Sequence, residues 1–146
     1  MELIASDLMG PLAQKSQAGT EYVIIITDHF SKYVELFALR NNQAKTVAKQ
    51  LKDFICRHGI PDDILIDQGT NYQSDPLDEV YRVLDRKRTA AYHPQKDGIS
   101  ERHVQHFKNG IRTYLQLDTQ ESDKHLNTLA FAYNSSTHAT TKHLPF

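Results

Sequence analysis

The chain has 146 residues, 39% of them hydrophobic, and a formal net charge of −1. That length fits one domain, and that apolar fraction excludes intrinsic disorder. A single cysteine, Cys56, excludes a disulfide framework and a multi-cysteine zinc module, and no apolar run approaches a membrane span.

Glu2 follows Met1 with no basic stretch, so no signal peptide is read, a reducing compartment is expected and no membrane partner is expected. The near-neutral total hides a split. Residues 62 to 85 hold seven acids against one base, and residues 86 to 114 hold seven bases against two acids. Such a split describes solvated faces, and equally a protein that holds metal cations beside a phosphate backbone.

In chain order, Leu3, Ile4 and Ala5 open a strand that carries Asp7 and ends at Gly10-Pro11. Residues 10 to 20 read as a loop. The continuous apolar run 22 to 26 predicts a strand buried on both faces. Residues 28 to 32 make a turn, and residues 33 to 39, rich in aromatic and branched side chains, make a third strand. The period then changes. Val47, Leu51, Phe54 and Ile55 fall on one helical face, with Asn41 or Asn42 as the expected cap and Gly59 and Pro61 as the stop.

A fourth strand over 64 to 66 leads to Asp67. Asp75-Pro76 opens a helix whose apolar face is Leu77, Val80, Tyr81 and Leu84. Residues 88 to 92 read as a fifth strand. A long helix starts near Ser100 with Val104, Phe107, Ile111 and Leu115 on one side, and Gly110 weakens its middle. A last helix follows Ser122, striped by Leu126, Leu129, Ala130 and Tyr133. Three leading strands predict an antiparallel meander. A strand returning after a helix predicts a parallel pair with a right-handed crossover. The expected fold is α/β, a mixed five-stranded sheet flanked by helices, in one domain over 1–146.

Three acids fall at element ends. Asp7 lies in the first strand, Asp67 at the C-terminal end of the fourth, and Glu101 at the start of a helix. Open α/β sheets build sites outside strand C-termini. Singly, each acid also reads as turn chemistry, an Asx-turn or dipole stabilisation. Together, three convergent carboxylates need cations, and hard oxygen donors favour Mg²⁺ or Mn²⁺. Two such ions about 3.5–4 Å apart can activate an attacking oxygen and stabilise the leaving oxygen of a phosphodiester.

Gln105, Lys108 and Arg112 follow Glu101 at i+4, i+7 and i+11, which describes a backbone-binding stripe or a solvated face opposite Val104 and Ile111. Lys96 and Arg102 flank the acid and suit phosphate. Asn71 and Gln95 can hydrogen-bond DNA from the loops near the acids. His93, His103 and His106 cluster in sequence but lack a fourth ligand, so surface or capping roles are expected of them.

Five blocks carry a resemblance: "SDLMGPL" (6–12), "YVIIITDHFSKYVELFAL" (22–39), "RHGIPDDILIDQGTNYQS" (57–74), "TAAYHPQKDGISERH" (89–103) and "LAFAYNSSTHATTKHLPF" (129–146). In order and over nearly the whole chain, they resemble the catalytic core of a Ty3/gypsy-type retrotransposon integrase, the class related to retroviral integrases. The resemblance implies an RNase H-like fold and an Asp-Asp-Glu site of Asp7, Asp67 and Glu101. It implies two Mg²⁺ (or Mn²⁺) ions, trimming of element DNA 3′ ends and their transfer into target DNA. Lys108 is the implied contact to the element end.

The implied partners are element-end and target DNA and further copies of the chain, as a homodimer or higher multimer. The implied location is the nucleus, or a virus-like particle or preintegration complex. No His-His-Cys-Cys module precedes the core and nothing follows Phe146, so a core fragment or a reduced protein is expected. One departure stands out. The interval from Asp67 to Glu101 is shorter than the family pattern, and the shortfall lies near "LDRKRTAAY" (84–92). The alternative is therefore a domesticated, catalytically weak or inactive relative kept as a DNA-binding or protein-interaction module. A transposase or a nuclease on RNA–DNA hybrids is the third reading, and the "YHPQKDG" block followed by Glu101 and Arg102 argues against it.

Overall fold

The computed structural model describes residues 2–12, 15–66, 109–111, 113–114, 122–138 and 141–145. Three strands open the chain: β1 (Leu3–Met9), β2 (Tyr22–Asp28) and β3 (Val34–Leu39). Helix α1 (Ala44–His58) and strand β4 (Asp63–Ile66) follow. Helix α2 (Ser122–Asn134) lies near the C-terminus, and residues 109–111 and 113–114 are also helical. The expected strand over 88–92 and helix over 75–84 lie outside the described residues.

The four strands form one sheet in the order β3-β2-β1-β4. β2 pairs antiparallel with β1 and with β3, the expected meander. β1 and β4 pair parallel, in the register Leu3↔Asp63, Ile4↔Ile64, Ala5↔Leu65 and Ser6↔Ile66. The sheet is therefore mixed. β1 and β3 point to the same end of it, and α1 carries the chain back so that β4 can run alongside β1.

Side chains alternate across a strand, so each strand feeds two cores. On one face Ile4, Leu8, Ile24, Ile26 and Ile64 pack under Val47, Ala48, Leu51, Phe54 and Ile55 of α1. On the other, Met9, Val23, Ile25, Val34 and Leu36 meet Ile111, Leu126 and Ala130. The run 23–26 is buried throughout because β2 lies between two strands and between two helical layers.

The ends of α1 are built differently from each other. Its N-cap is Gln43, with no side-chain cap bond, and not Asn41 or Asn42. The Asn41 carboxamide is occupied two residues earlier: its Oδ1 accepts the Gln43 N–H (3.1 Å) and the Thr46 hydroxyl (2.7 Å). At the other end Gly59, at φ 96°, closes the helix by donating its N–H to the Ile55 carbonyl (2.8 Å). Arg57 and His58 fill the last turn, where cations suit the dipole, and both bind Glu35 of β3. The Arg57 guanidinium also lies over the Phe37 ring, 5.6 Å from its centroid.

β3 stands at one edge of the four-stranded sheet, and besides the apolar packing α2 is hydrogen-bonded to it through Asn134. Asn134 Oδ1 accepts the Val34 N–H (2.9 Å), and its Nδ2 donates to the Val34 carbonyl (2.8 Å). The amide thus pairs with the N–H and the carbonyl of one residue, as a neighbouring strand would. At the β2–β3 turn, Asp28 Oδ2 accepts from the Ser31 N–H (3.1 Å) and hydroxyl (2.6 Å), and Lys32 takes φ 66°. No helix among the described residues is long and apolar enough to cross a membrane.

Candidate active site

Asp7 is the one member of the expected triad among the described residues. It sits two residues before the end of β1, across from Ile25 of β2. Its neighbours Ser6 and Leu8 point under α1. Asp7 shares the opposite face with Met9, on the side of Ile111 and α2, and is half-buried. β1 is flanked by β2 and β4, so the Asp7 backbone belongs to a central strand and not to a loop. A ligand on such a strand is held more firmly than one on a connection.

The chain turns sharply three residues later. Gly10 takes φ 143°, and a Cβ there would stand 2.8 Å from the Glu21 carbonyl oxygen and 2.5 Å from the Tyr22 ring. Only glycine fits that conformation and that approach. The returning loop is fastened by Leu12 N–H to Glu21 O (2.8 Å) and by Thr20 N–H to the Ser16 hydroxyl (3.2 Å). Lys15 and Glu21 pair at 2.8 Å, and the carboxylate raises the pKa of the exposed ammonium.

Among the described residues the parallel register extends to Ser6↔Ile66, the rung before Asp7 on β1. Asp67 itself lies outside the described residues, as do Glu101, Asn71, Gln95, Lys96, Arg102, Gln105, Lys108 and Arg112. Among the described residues no group of three His, Cys, Asp or Glu side chains could hold a metal ion. Two features escaped the sequence reading. The close approach at Gly10 was read only as a strand end, and Asn134 was quoted only within the closing block.

The integrase core domain family matches this chain over residues 1–96. The chain belongs to that family. This integrase core is 28% identical to the retrovirus-related Pol polyprotein from transposon 412 of Drosophila melanogaster, over 98% of its own length and 12% of that polyprotein. It is 26% identical to Gypsy retrotransposon integrase-like protein 1 of Homo sapiens, over 99% of its own length and 28% of that protein. The chain thus spans well under a third of either relative.

Two solved structures share its architecture. The HTLV-2 integrase catalytic core domain, in complex with magnesium in a trimeric form, superposes with a TM-score of 0.67 at 18% identity, covering 99% of this chain and 93% of that one. The catalytic core domain of BIV integrase gives 0.68 at 18% identity, covering 99% and 90%. The fold of this integrase core is RNase H-like, as the five sequence blocks implied.

Proposed function

We propose that this integrase core joins DNA by Mg²⁺-dependent polynucleotidyl transfer: it trims element 3′ ends and transfers them into target DNA. Asp7, Asp67 and Glu101 are its ligand carboxylates. The observation that carries this reading is the β1–β4 register. Consecutive Cα atoms stand about 3.8 Å apart and paired strands about 4.8 Å apart. With Ser6 paired to Ile66, the covalent chain alone keeps the Cα atoms of Asp7 and Asp67 within about 12 Å of each other. One further rung would set them side by side on one face, since residues in register share a face.

The third acid has a physical route to the same place. Ile111, ten residues after Glu101, packs in one cluster with Met9, two residues after Asp7. The donor set fits a hard divalent cation: carboxylate oxygens from a rigid strand and its parallel neighbour, with no thiolate required. Bound there, Mg²⁺ or Mn²⁺, as two ions, would polarise the attacking and leaving oxygens of a phosphodiester. Asp7 supplies fixed negative charge. Lys108, Arg112, Gln105, Arg102, Lys96, Gln95 and Asn71 bind and orient the DNA strands. Element-end and target DNA are then the substrates, the chain works as a homodimer or higher multimer, and its place of work is the nucleus or a preintegration particle.

The test is Asp7→Asn, which keeps size and strand geometry but removes the charge. We expect Mn²⁺ binding, followed by the electron paramagnetic resonance of the free ion, to weaken at least tenfold. Joining and disintegration of oligonucleotide substrates should fall to background. Glu101→Gln is expected to do the same to joining. Full activity in either variant would remove that acid from the triad. The short interval between Asp67 and Glu101 supports a second reading, a core that binds DNA without catalysis. Wild-type protein that binds duplex DNA but neither Mn²⁺ nor joins ends would establish that reading instead.

A further inference from the structure

Six asparagines stand in this chain, and Asn109 is the one that glycine follows. Residues 109–111 are helical, and Asn109 and Gly110 are both exposed. Ile111, the next residue, is buried with Met9, Val23 and Ile25 of the sheet. A Cβ at Gly110 would meet nothing within 4 Å, so among the described residues no packing calls for glycine there. Glycine in a helix weakens it. The Thr113 hydroxyl weakens it again by donating back to the Asn109 carbonyl (2.9 Å), a bond that competes with the helix ladder and bends it.

An Asn-Gly pair is labile for a steric reason. The glycine has no side chain, so its nitrogen can approach Cγ of the asparagine and close a succinimide ring. Helical geometry opposes this, because it ties backbone N–H groups into the i→i−4 ladder. The ring therefore forms through local opening, which is easiest where a helix is weakest. Asn127 is the comparison within the same molecule. It is also exposed and helical, in α2, but the β-branched Thr128 follows it.

We propose that Asn109 is a site of spontaneous backbone modification, gated by opening of the helix at Gly110, and that its products lower DNA joining. The Gly110 N–H gives its proton to solvent base, and the nitrogen attacks Cγ of Asn109. The N–Cγ bond forms as the Cγ–Nδ2 bond breaks, and the side-chain nitrogen leaves as ammonia. Water, the one co-reactant, then opens the succinimide at either carbonyl and gives aspartate or isoaspartate. Isoaspartate lengthens the main chain by one carbon directly before Ile111, so the change reaches the cluster that Ile111 shares with Met9, two residues after Asp7. Either product also places a negative charge beside Lys108 and three residues before Arg112 in sequence. The modification is independent of the integrase reading above, whereas its effect on joining rests on it.

The experiment incubates the folded protein at mildly alkaline pH and follows the chymotryptic peptide 108–114 by liquid chromatography and mass spectrometry. Asn109 should gain the mass of an amide turned acid and split into aspartyl and isoaspartyl forms, while Asn127 stays an amide. Asp97-Gly98 can isomerise as well, but without a mass change and in another peptide. Gly110→Ala, which has open space for its Cβ, should slow the conversion at least about fivefold, the factor set by the about 1 kcal/mol by which alanine exceeds glycine in a helix. An unchanged rate in Gly110→Ala, or an Asn127 that converts as fast as Asn109, overturns the proposal. Joining of oligonucleotides by the aged wild type should fall as the acid forms accumulate, and Asn109→Gln aged in the same way should keep its activity. Full joining at complete conversion overturns the link to the site. A fresh wild type that joins no ends overturns the integrase reading, and conversion of Asn109 in that same protein upholds the modification.

Discussion

The amide of Asn134 replaces a neighbouring strand at the edge of the sheet, and its loss is expected to be costly. Val34 is 1% exposed and Asn134 is 2% exposed, so the two hydrogen bonds between them are shielded from water. Asn134→Ala removes the partners of both the N–H and the carbonyl of Val34. A typical hydrogen bond contributes about 1 kcal/mol net, and a buried group left without a partner costs about 1–3 kcal/mol. Water entering the space left by the amide recovers part of that, so the expected loss is about 2–4 kcal/mol. That is a large share of the about 5–15 kcal/mol that holds a domain folded.

Asn134→Asp separates the two bonds. It keeps an acceptor for the Val34 N–H but sets a second oxygen against the Val34 carbonyl. Protonating the introduced carboxyl restores a donor, so this variant should recover stability relative to the wild type as pH falls through the carboxylate range. Urea denaturation followed by circular dichroism reads the stability, and amide hydrogen exchange at Val34 reads the bond itself. A wild-type urea midpoint together with unchanged Val34 protection in Asn134→Ala would refute the reasoning.

Gly10→Ala should destabilise the fold by several kcal/mol, because its φ of 143° strains any L side chain and the new Cβ meets the Glu21 carbonyl oxygen at 2.8 Å; a melting temperature equal to wild type would contradict this. Alkaline pH should unfold the protein through its tyrosines. Burial raises the Tyr133 phenol above its ordinary value, and burial followed by the Glu35 charge raises Tyr33, with Arg57 opposing. Raised folded values mean that this stability is whole below the unfolded value near about 10 and is lost as pH rises through the folded ones. Tyr33→Phe with Tyr133→Phe should flatten the fall in urea midpoint above about pH 9, and a slope equal to wild type would count against it.

The parts of this fold that could be read from the chain are those fixed by local periodicity. The run 23–26 announced a strand buried on both faces, and β2 has a strand on each side and a helical layer on each face. The spacing of Val47, Leu51, Phe54 and Ile55 announced the buried side of α1, and all four are buried. The parallel pairing of β1 and β4 followed from a strand, a helix and a returning strand. What could not be read depends on partners far apart. Asn134 looks like an ordinary polar residue at a helix end, and its partner lies 100 residues earlier. Glu35 meets Arg57 and His58 across 22 and 23 residues, so no window of sequence contains the cluster. The α1 cap was misplaced because Asn41 has two acceptable uses: it can cap a helix, or hold the turn before one.

Asp7 combines these two kinds of information. Its position was legible because a strand ending in Gly10-Pro11 must stop there, yet its value as a ligand depends on what surrounds that strand. Pairing with β2 fixes the Asp7 backbone across from Ile25, pairing with β4 brings the other strand to the rung before it, and alternation turns its side chain away from α1. An acid on a peripheral loop could move to relieve charge repulsion; Asp7 cannot move without disturbing its pairing with Ile25 of β2 and the rung beside it between Ser6 and Ile66. On the proposed function, acids gathered at that strand end would repel one another and call for cations. A carboxylate on a rigid backbone is what a site for hard divalent ions requires. The same rigidity divides the labour between the two faces of the sheet. The face under α1 is sealed by apolar packing, and Asp7 stands on the opposite face, at the end of β1.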